Sequence, residues 1–407
     1  MTEPTPSLPA TMQALRITSF GAPYTLTTVP VPSPSALRPH DLLVKVAVAS
    51  HCHTDTIIRL GAVPSISLPL TGSHEGSGTV VAVGSSVAAD GSFKSGDRVM
   101  CGIPLGLCGT CGNCTATGTT GIEKEKRGGH YRHYCAHIHG HIGIQLDGVF
   151  AEYAVVDSRT STAIPEGVSL LAAAPLGCAG RTAWRAVKET GLQPGQWLGI
   201  VGSGGGLGHL AVQFATKMGL KVVGIEARDE GLELTREMGA DVVVDARKGK
   251  DELVEEVGKA VLGDDGKEVD HNGLFATGGV DATVNLSDAD DAAGLACAIT
   301  KMHGLMVQVA QPLEVKIPFM ELILRDVRIK GSLQCSAEES EELLHFVAEH
   351  GVKVKMTPFY GLDQVEELEK VVSSGKLQGR AAIIVDPHQL QHEKEIMRHS
   401  PRLNAKT

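Results

Sequence analysis

Leu198-Gly199-Ile200-Val201-Gly202-Ser203-Gly204-Gly205-Gly206-Leu207-Gly208-His209-Leu210-Ala211-Val212-Gln213-Phe214-Ala215 is the stretch on which the reading of the fold turns. Its first four residues form a short apolar run of the kind found in buried parallel strands. A glycine-dense turn follows, and the apolar spacing then becomes helical. Beyond it, Lys221-Val222-Val223-Gly224-Ile225 reads as a second strand that ends at Glu226. Strand, glycine turn, helix, strand and acidic residue make up the dinucleotide-binding fingerprint. The glycines let a pyrophosphate approach the backbone, the helix N-terminus stabilises its charge, and the carboxylate accepts from a ribose hydroxyl. The loop has one residue more than the usual G-x-G-x-x-G, which makes Gly202, Gly205 and Gly208 the candidate triad, with Gly204, Gly206 and Leu207 in the same turn. Strand and helix keep alternating through Asp241-Val242-Val243-Val244, Val280 to Asn285 and Leu305 to Val309. The expected fold class is α/β, with a doubly wound parallel sheet here.

Upstream the character differs. From Met12 to about Val99 the pattern is β-rich: Leu42 to Val48 and Gly78 to Gly84 read as strands, and Gly96-Asp97-Arg98-Val99 as a turn into another. Between them lie Cys52-His53-Thr54-Asp55 and Ser73-His74-Glu75-Gly76, which bring a thiolate, an imidazole and a carboxylate into one short segment. A catalytic zinc takes three protein ligands of this kind and keeps one position open. Cys178, in Pro175-Leu176-Gly177-Cys178-Ala179-Gly180, is the candidate for the remaining ligand, placed at a helix entrance whose positive end would favour a thiolate.

A second metal signal is Cys108-Gly109-Thr110-Cys111-Gly112-Asn113-Cys114. Three cysteines at three-residue spacing, with glycines between them, suit a tetrahedral structural site that needs a fourth ligand. Cys135 is the favoured fourth, and His130 and His133 are the alternatives. The other histidines nearby, His137, His139 and His141, read as a solvated loop that could bind metal adventitiously.

The chain has 407 residues, 42% hydrophobic and 21% charged, with a net charge of -10. That length suits two domains. The acidic balance gives no field for nucleic acid or an anionic membrane, and no apolar run is long enough to span a bilayer. Nine cysteines, an odd number, with neither a secretory nor a transit pattern over Met1 to Ala10, argue for metal ligation in a reducing compartment over a disulfide framework. The cytoplasm is the expected location. Beyond about Phe319 the sequence reads as helix-rich, with a strand from Arg380 to Val385 rejoining the first unit and a polar, frayed tail.

Taken together, Cys-His-Thr-Asp, His-Glu-Gly-x-Gly, Cys-x-x-Cys-x-x-Cys, Cys-Ala-Gly, Gly-Gly-Leu-Gly and the late Gly379-Arg380 resemble the zinc-dependent medium-chain alcohol dehydrogenases, above all the tetrameric yeast and fungal branch. The resemblance runs from about Met12 to Val385. It implies a GroES-like catalytic domain (1–178 and 319–407) around a Rossmann domain (179–318), and it implies NAD and two zinc ions per chain. Cys52, His74 and Cys178 would hold the catalytic zinc, Glu75 would exchange with substrate or water on it, and Asp55 would orient His74. Cys108, Cys111, Cys114 and Cys135 would hold the structural zinc. His53, Thr182, the glycine loop, Val309 and Arg380 would contact the cofactor, and Glu226 would select NAD, with Arg228 close by. Thr54 would take the proton of an alcohol as hydride passes to the nicotinamide; the partner is a small alcohol, aldehyde or ketone, and the assembly a homo-oligomer, by resemblance a tetramer.

Three features depart from that pattern. Ile57 stands where the family's proton relay commonly ends in histidine, leaving the ribose and solvent, His51 or His53 to carry the proton. Slower and more pH-sensitive alcohol oxidation is therefore expected. Val63 and Ile103 replace bulky tryptophans, which implies room for substrates larger than ethanol. The loop between Cys114 and Cys135 is unusually long. Retention of the Cys/His/Cys set argues against a zinc-free reductase, while a polyol dehydrogenase and a non-catalytic zinc- and dinucleotide-binding protein remain as alternatives.

Overall fold

A computed structural model of the chain describes residues 8–115, 132–262 and 278–399. Its parallel sheet has six strands in the spatial order Val242–Asp245, Lys221–Glu226, Trp197–Val201, Val280–Asn285, Thr300–Gln308 and Arg328–Gly331. Every neighbouring pair is parallel. Chain direction across the sheet reverses between Trp197–Val201 and Val280–Asn285, and the crevice beyond the carboxyl ends at such a switch point is where dinucleotides bind. Val222, Val223, Ile225, Leu198, Ile200, Ala282 and Val284 are buried, as continuous apolar runs require when helices cover both faces.

The other unit is built around the strand Asp41–His51, buried along almost its whole length. Glu75–Val83 flanks it on one side with Ser50 paired to Glu75, and Arg380–Ile384 flanks it on the other with His51 paired to Ala381. This register sets Glu75 and Arg380 on either side of the end of one strand, at Cys52. The expected return of the C-terminal strand to the first unit is therefore observed. A short helix, Ser85–Asp90, lies within the segment read as β-rich.

Three expectations need correction. A division at residue 318 is too early, because Arg328–Gly331 adds to the parallel sheet and the helix Ala337–His350 packs Phe346 against Trp184 and Phe214, at ring separations of 4.9 and 6.2 Å. The chain re-enters the first unit only at Met356–Tyr360, which pairs with Arg380–Ile384. Second, Cys178 is not at a helix entrance. Leu170–Pro175, a π-helical turn over Leu176–Gly180 and Arg181–Glu189 follow one another directly. Pro175 has no N–H to donate, and the run widens just after it; no free positive helix end lies beside Cys178. Third, the tail is not frayed from its start. Pro387–His399 is helical, Gln389 Oε1 accepts from Thr79 at 2.7 Å, and the buried Glu393 carboxylate accepts from the Leu170 backbone N–H at 2.9 Å and pairs with Arg98. A polar tail here satisfies buried donors at the start of the run that carries Cys178.

Candidate active site and metal centres

Cys52 caps the short helix His53–Arg59, and its backbone N–H donates to Asp55 Oδ2 at 2.8 Å. Asp55 Oδ1 lies 3.4 Å from His74 Nδ1, within ion-pair reach, in a site where both residues are buried. Ser73, just before His74, has φ +62, a strained conformation for a residue with a side chain. It is held there by Ser73 Oγ donating to the Ser50 carbonyl at 2.7 Å and by Val149 N–H donating to the Ser73 carbonyl at 2.8 Å. This turn aims His74 and Glu75 at Cys52, while the π-helical turn brings Cys178 from the opposite wall. Ligand atoms of Cys52, His74, Glu75 and Cys178 all lie within 4.8 Å of one another.

The electrostatics agree with a cation site. The Cys178 thiol donates to Cys52, which holds Cys52 well below the usual thiol range and, with burial, pushes Cys178 well above it. Burial opposes charge on His74, but the Asp55 carboxylate and Cys52 together outweigh it and raise the imidazole pKa. Burial lifts Glu75 to about 7 against the pull of Arg380, whose guanidinium pairs with Glu75 Oε2. Glu75 Oε1 is buried and has no hydrogen-bond partner among the described residues. Thiolate, imidazole and an unsatisfied carboxylate oxygen converging in a buried site fit Zn²⁺.

The second set is Cys108, Cys111, Cys114 and Cys135. Its sulfur separations include 3.9 Å (Cys108–Cys114), 3.8 Å (Cys111–Cys135) and 3.5 Å (Cys108–Cys135). A tetrahedron of thiolates at Zn–S of about 2.3 Å has edges of about 3.8 Å, whereas a disulfide needs about 2.05 Å. All nine cysteines are free. N–H groups of Thr110 and Cys111 point at Cys108 and bring its pKa to about 5. His133 is turned away from this set and lies 3.2 Å from Arg185, and His141 bonds Gln145. His130 and most of the long loop fall outside the described residues.

The glycine loop follows the strand Trp197–Val201, as expected, but the demanding glycines differ from the candidate triad. Gly202 has φ +82 and Gly208 packs against its carbonyl, yet the third close approach is Gly204 on the backbone of Gly231. A Cβ on Gly205 would have only one neighbour, the Gly202 carbonyl at 3.3 Å. Leu207 precedes the helix Gly208–Lys217, and a Cβ on Gly206 would fall 2.9 Å from Arg380 Cδ. Glu226 is buried at the end of its strand, where it accepts from the N–H groups of Gly204 (3.1 Å), Ala227 (2.9 Å) and Arg228 (3.2 Å) and pairs with the Arg228 guanidinium. Local spacing carries no sign of how fully this carboxylate is engaged. His53 is exposed and reaches across to Asp288, 3.7 Å away, beyond the end of Val280–Asn285. Thr182 lies one turn beyond Cys178, and Val309 N–H donates to the Asn285 carbonyl at 3.1 Å. Thr54 Oγ1 is 3.7 Å from Cys52 Sγ. Of the alternative relay groups, His51 is buried with Nε2 3.4 Å from Thr56 Oγ1, not Thr54.

His209, one residue into the helix after the loop, was not singled out by sequence and is fully buried, with burial lowering its pKa to about 4. The unfolded imidazole takes up a proton below about 6.5, while the folded one stays neutral to about 4, so this residue's share of stability is lost as pH falls through that window. Thermal unfolding from pH 7 to pH 4 is expected to show a falling Tm. His209→Leu should flatten the fall by up to about 1.4 kcal/mol per pH unit; an unchanged slope would count against a neutral buried His209.

Residues 38–166 match the alcohol dehydrogenase GroES-like domain, and residues 206–349 match the zinc-binding dehydrogenase family. Fold and site thus define a zinc-binding dehydrogenase of two units. The chain belongs to the zinc-dependent medium-chain alcohol dehydrogenase family. It is 32% identical to alcohol dehydrogenase 1 of Emericella nidulans over 92% of this chain and 98% of that one. It is 34% identical to an alcohol dehydrogenase of Schizosaccharomyces pombe over 87% and 92%. Among solved structures, the alcohol dehydrogenase of Aeropyrum pernix superposes with a TM-score of 0.76 at 28% identity, covering 91% of this chain and 99% of that one. No helix among the described residues is long and apolar enough to cross a membrane.

Proposed function

We propose that this chain is an NAD-dependent alcohol dehydrogenase that interconverts a primary or secondary alcohol with its aldehyde or ketone. The observation that carries the reading is the convergence of Cys52, His74, Glu75 and Cys178 within 4.8 Å, next to a dinucleotide loop that Arg380 touches from the same site. Cys52, His74 and Cys178 would hold the catalytic zinc, which when bound supplies a Lewis acid for the substrate oxygen. Asp55 fixes the His74 ring, and Arg380 holds Glu75 so that its free oxygen is available as a part-time ligand. Thr54 stands beside Cys52, placed to take the hydroxyl proton. The glycine loop receives the pyrophosphate, with His53, Thr182 and Val309 around the cleft and Glu226 on the adenosine side. Cys108, Cys111, Cys114 and Cys135 hold the structural zinc.

Proton exit is the weak step. Ile57 follows Thr54 on the same helix and cannot carry a proton, and His51 is bonded to Thr56. Introducing a base by Ile57→His is expected to raise kcat for alcohol oxidation near neutral pH by roughly tenfold and to flatten the pH–rate profile. A profile and solvent isotope effect identical to wild type would contradict this.

Val63 and Ile103 in place of tryptophans support a site that takes substrates larger than ethanol. A panel of straight-chain, branched and aromatic alcohols, run with NAD and NADP side by side, tests both substrate size and cofactor. Turnover should rise beyond ethanol and favour NAD; a series peaking at ethanol would overturn the larger pocket. A homo-oligomer, by resemblance a tetramer, is supported by the outer sheet edge. Among the described residues Arg328–Gly331 pairs on one side only, and Leu313, Phe319, Ile323, Ile329 and Leu333 are exposed. The cytoplasm is the proposed location.

A further inference from the structure

The glycine loop and the strand that delivers Arg380 come from distant parts of the chain, yet both are fastened to the helix Gly208–Lys217. His209 uses both ring nitrogens to do so. Nδ1 lies 3.1 Å from the Gly205 carbonyl, and Nε2 lies 3.4 Å from the Lys355 backbone nitrogen. Because burial keeps the ring neutral, one nitrogen donates and the other accepts: Nδ1–H to Gly205, and Nε2 from Lys355 N–H. One turn further on, the Gln213 amide pairs with Lys353 in both directions, donating to its carbonyl at 2.9 Å and accepting from its N–H at 2.8 Å. Two side chains four residues apart thus bind the extended backbone of 353–355 much as a neighbouring strand would. The Lys355 carbonyl then accepts from Arg380 N–H at 2.9 Å. Arg380 closes the circuit, since it pairs with Glu75 and lies against Gly206 in the same loop.

We propose that His209 is a positioning residue for cofactor binding, locking the glycine loop to the backbone that carries Arg380 so that loop, Arg380 and Glu75 hold one geometry. This rests on reading the loop as the NAD site. His209 itself faces neither cofactor nor substrate; it acts through Gly205 and Lys355. A displacement of well under an ångström at either end would change the distance between Arg380 and the loop.

The test is a double-mutant cycle on NADH affinity, read by fluorescence titration of wild type, His209→Leu, Arg380→Lys and the double variant, with zinc content and Tm measured on each. Either single change should weaken NADH about tenfold, and the double should be no weaker than about the worse single, because both release the same geometry. His209→Leu should raise KM for NAD more than KM for alcohol at saturating NAD while keeping both zinc ions. An unchanged NADH Kd in His209→Leu, or losses that multiply to about a hundredfold in the double, would overturn the proposal. If the leucine variant does not fold, His209→Asn, which can keep the Gly205 contact but not the Lys355 one, takes its place under the same criteria. Wild type that binds no NADH would instead overturn the functional reading itself.

Discussion

Cys178→Ala is expected to lower kcat/KM for alcohol oxidation by roughly 10³-fold or more, since a Lewis acid at the substrate oxygen is worth several kcal/mol. Zinc content should fall from two ions per chain to one. Cys178 closes the set with Cys52, His74 and Glu75, and losing it removes one of the two sulfur ligands of that set. Tm should move little, because the substitution removes few buried contacts and leaves the π-helical turn and the second cysteine set intact. Activity within tenfold of wild type would show that Cys178 is not a ligand.

The second large effect is on stability. Cys135→Ser is expected to cost the structural zinc and lower Tm by at least about 5 °C, while leaving the catalytic ion in place. Cys135 Sγ lies 3.5 Å from Cys108 and 3.8 Å from Cys111, separations suited to one tetrahedral ion. His133→Asn should leave both zinc ions bound, since that ring faces Arg185. Zinc analysis with thermal unfolding separates the two cases. Two ions per chain in Cys135→Ser would contradict its role.

What could be read in the sequence had local periodicity or fixed spacing behind it. The run Leu198 to Val201, the glycine turn and the strand ending at Glu226 repeat a pattern that backbone geometry imposes, and the structure shows them as expected. Cys-x-x-Cys-x-x-Cys carried its own meaning because three thiolates at that spacing have few other uses. Cys178 was recognisable as a residue but not by its surroundings, since a proline followed by glycines reads as a loop or helix entrance, not as a π-helical turn inside a longer run. The division at 318 falls too early because Arg328–Gly331 is a polar, mostly exposed edge strand without the apolar signal of its neighbours. Glu393 was lost in a charged tail, and only tertiary structure shows its carboxylate capping Leu170. His209 and the Arg228 lock on Glu226 depend on backbone from 353–355 and 375–377, more than a hundred residues away in sequence.

The most direct measurement is zinc content followed alongside NAD-coupled alcohol oxidation as a chelator is titrated in. Two zinc ions per chain at the outset, with activity disappearing in proportion to the loss of one of them and returning when zinc is restored, is the expected result. Undiminished turnover after Cys52, His74 and Cys178 have lost their ion would contradict the assignment of that site as the catalytic centre.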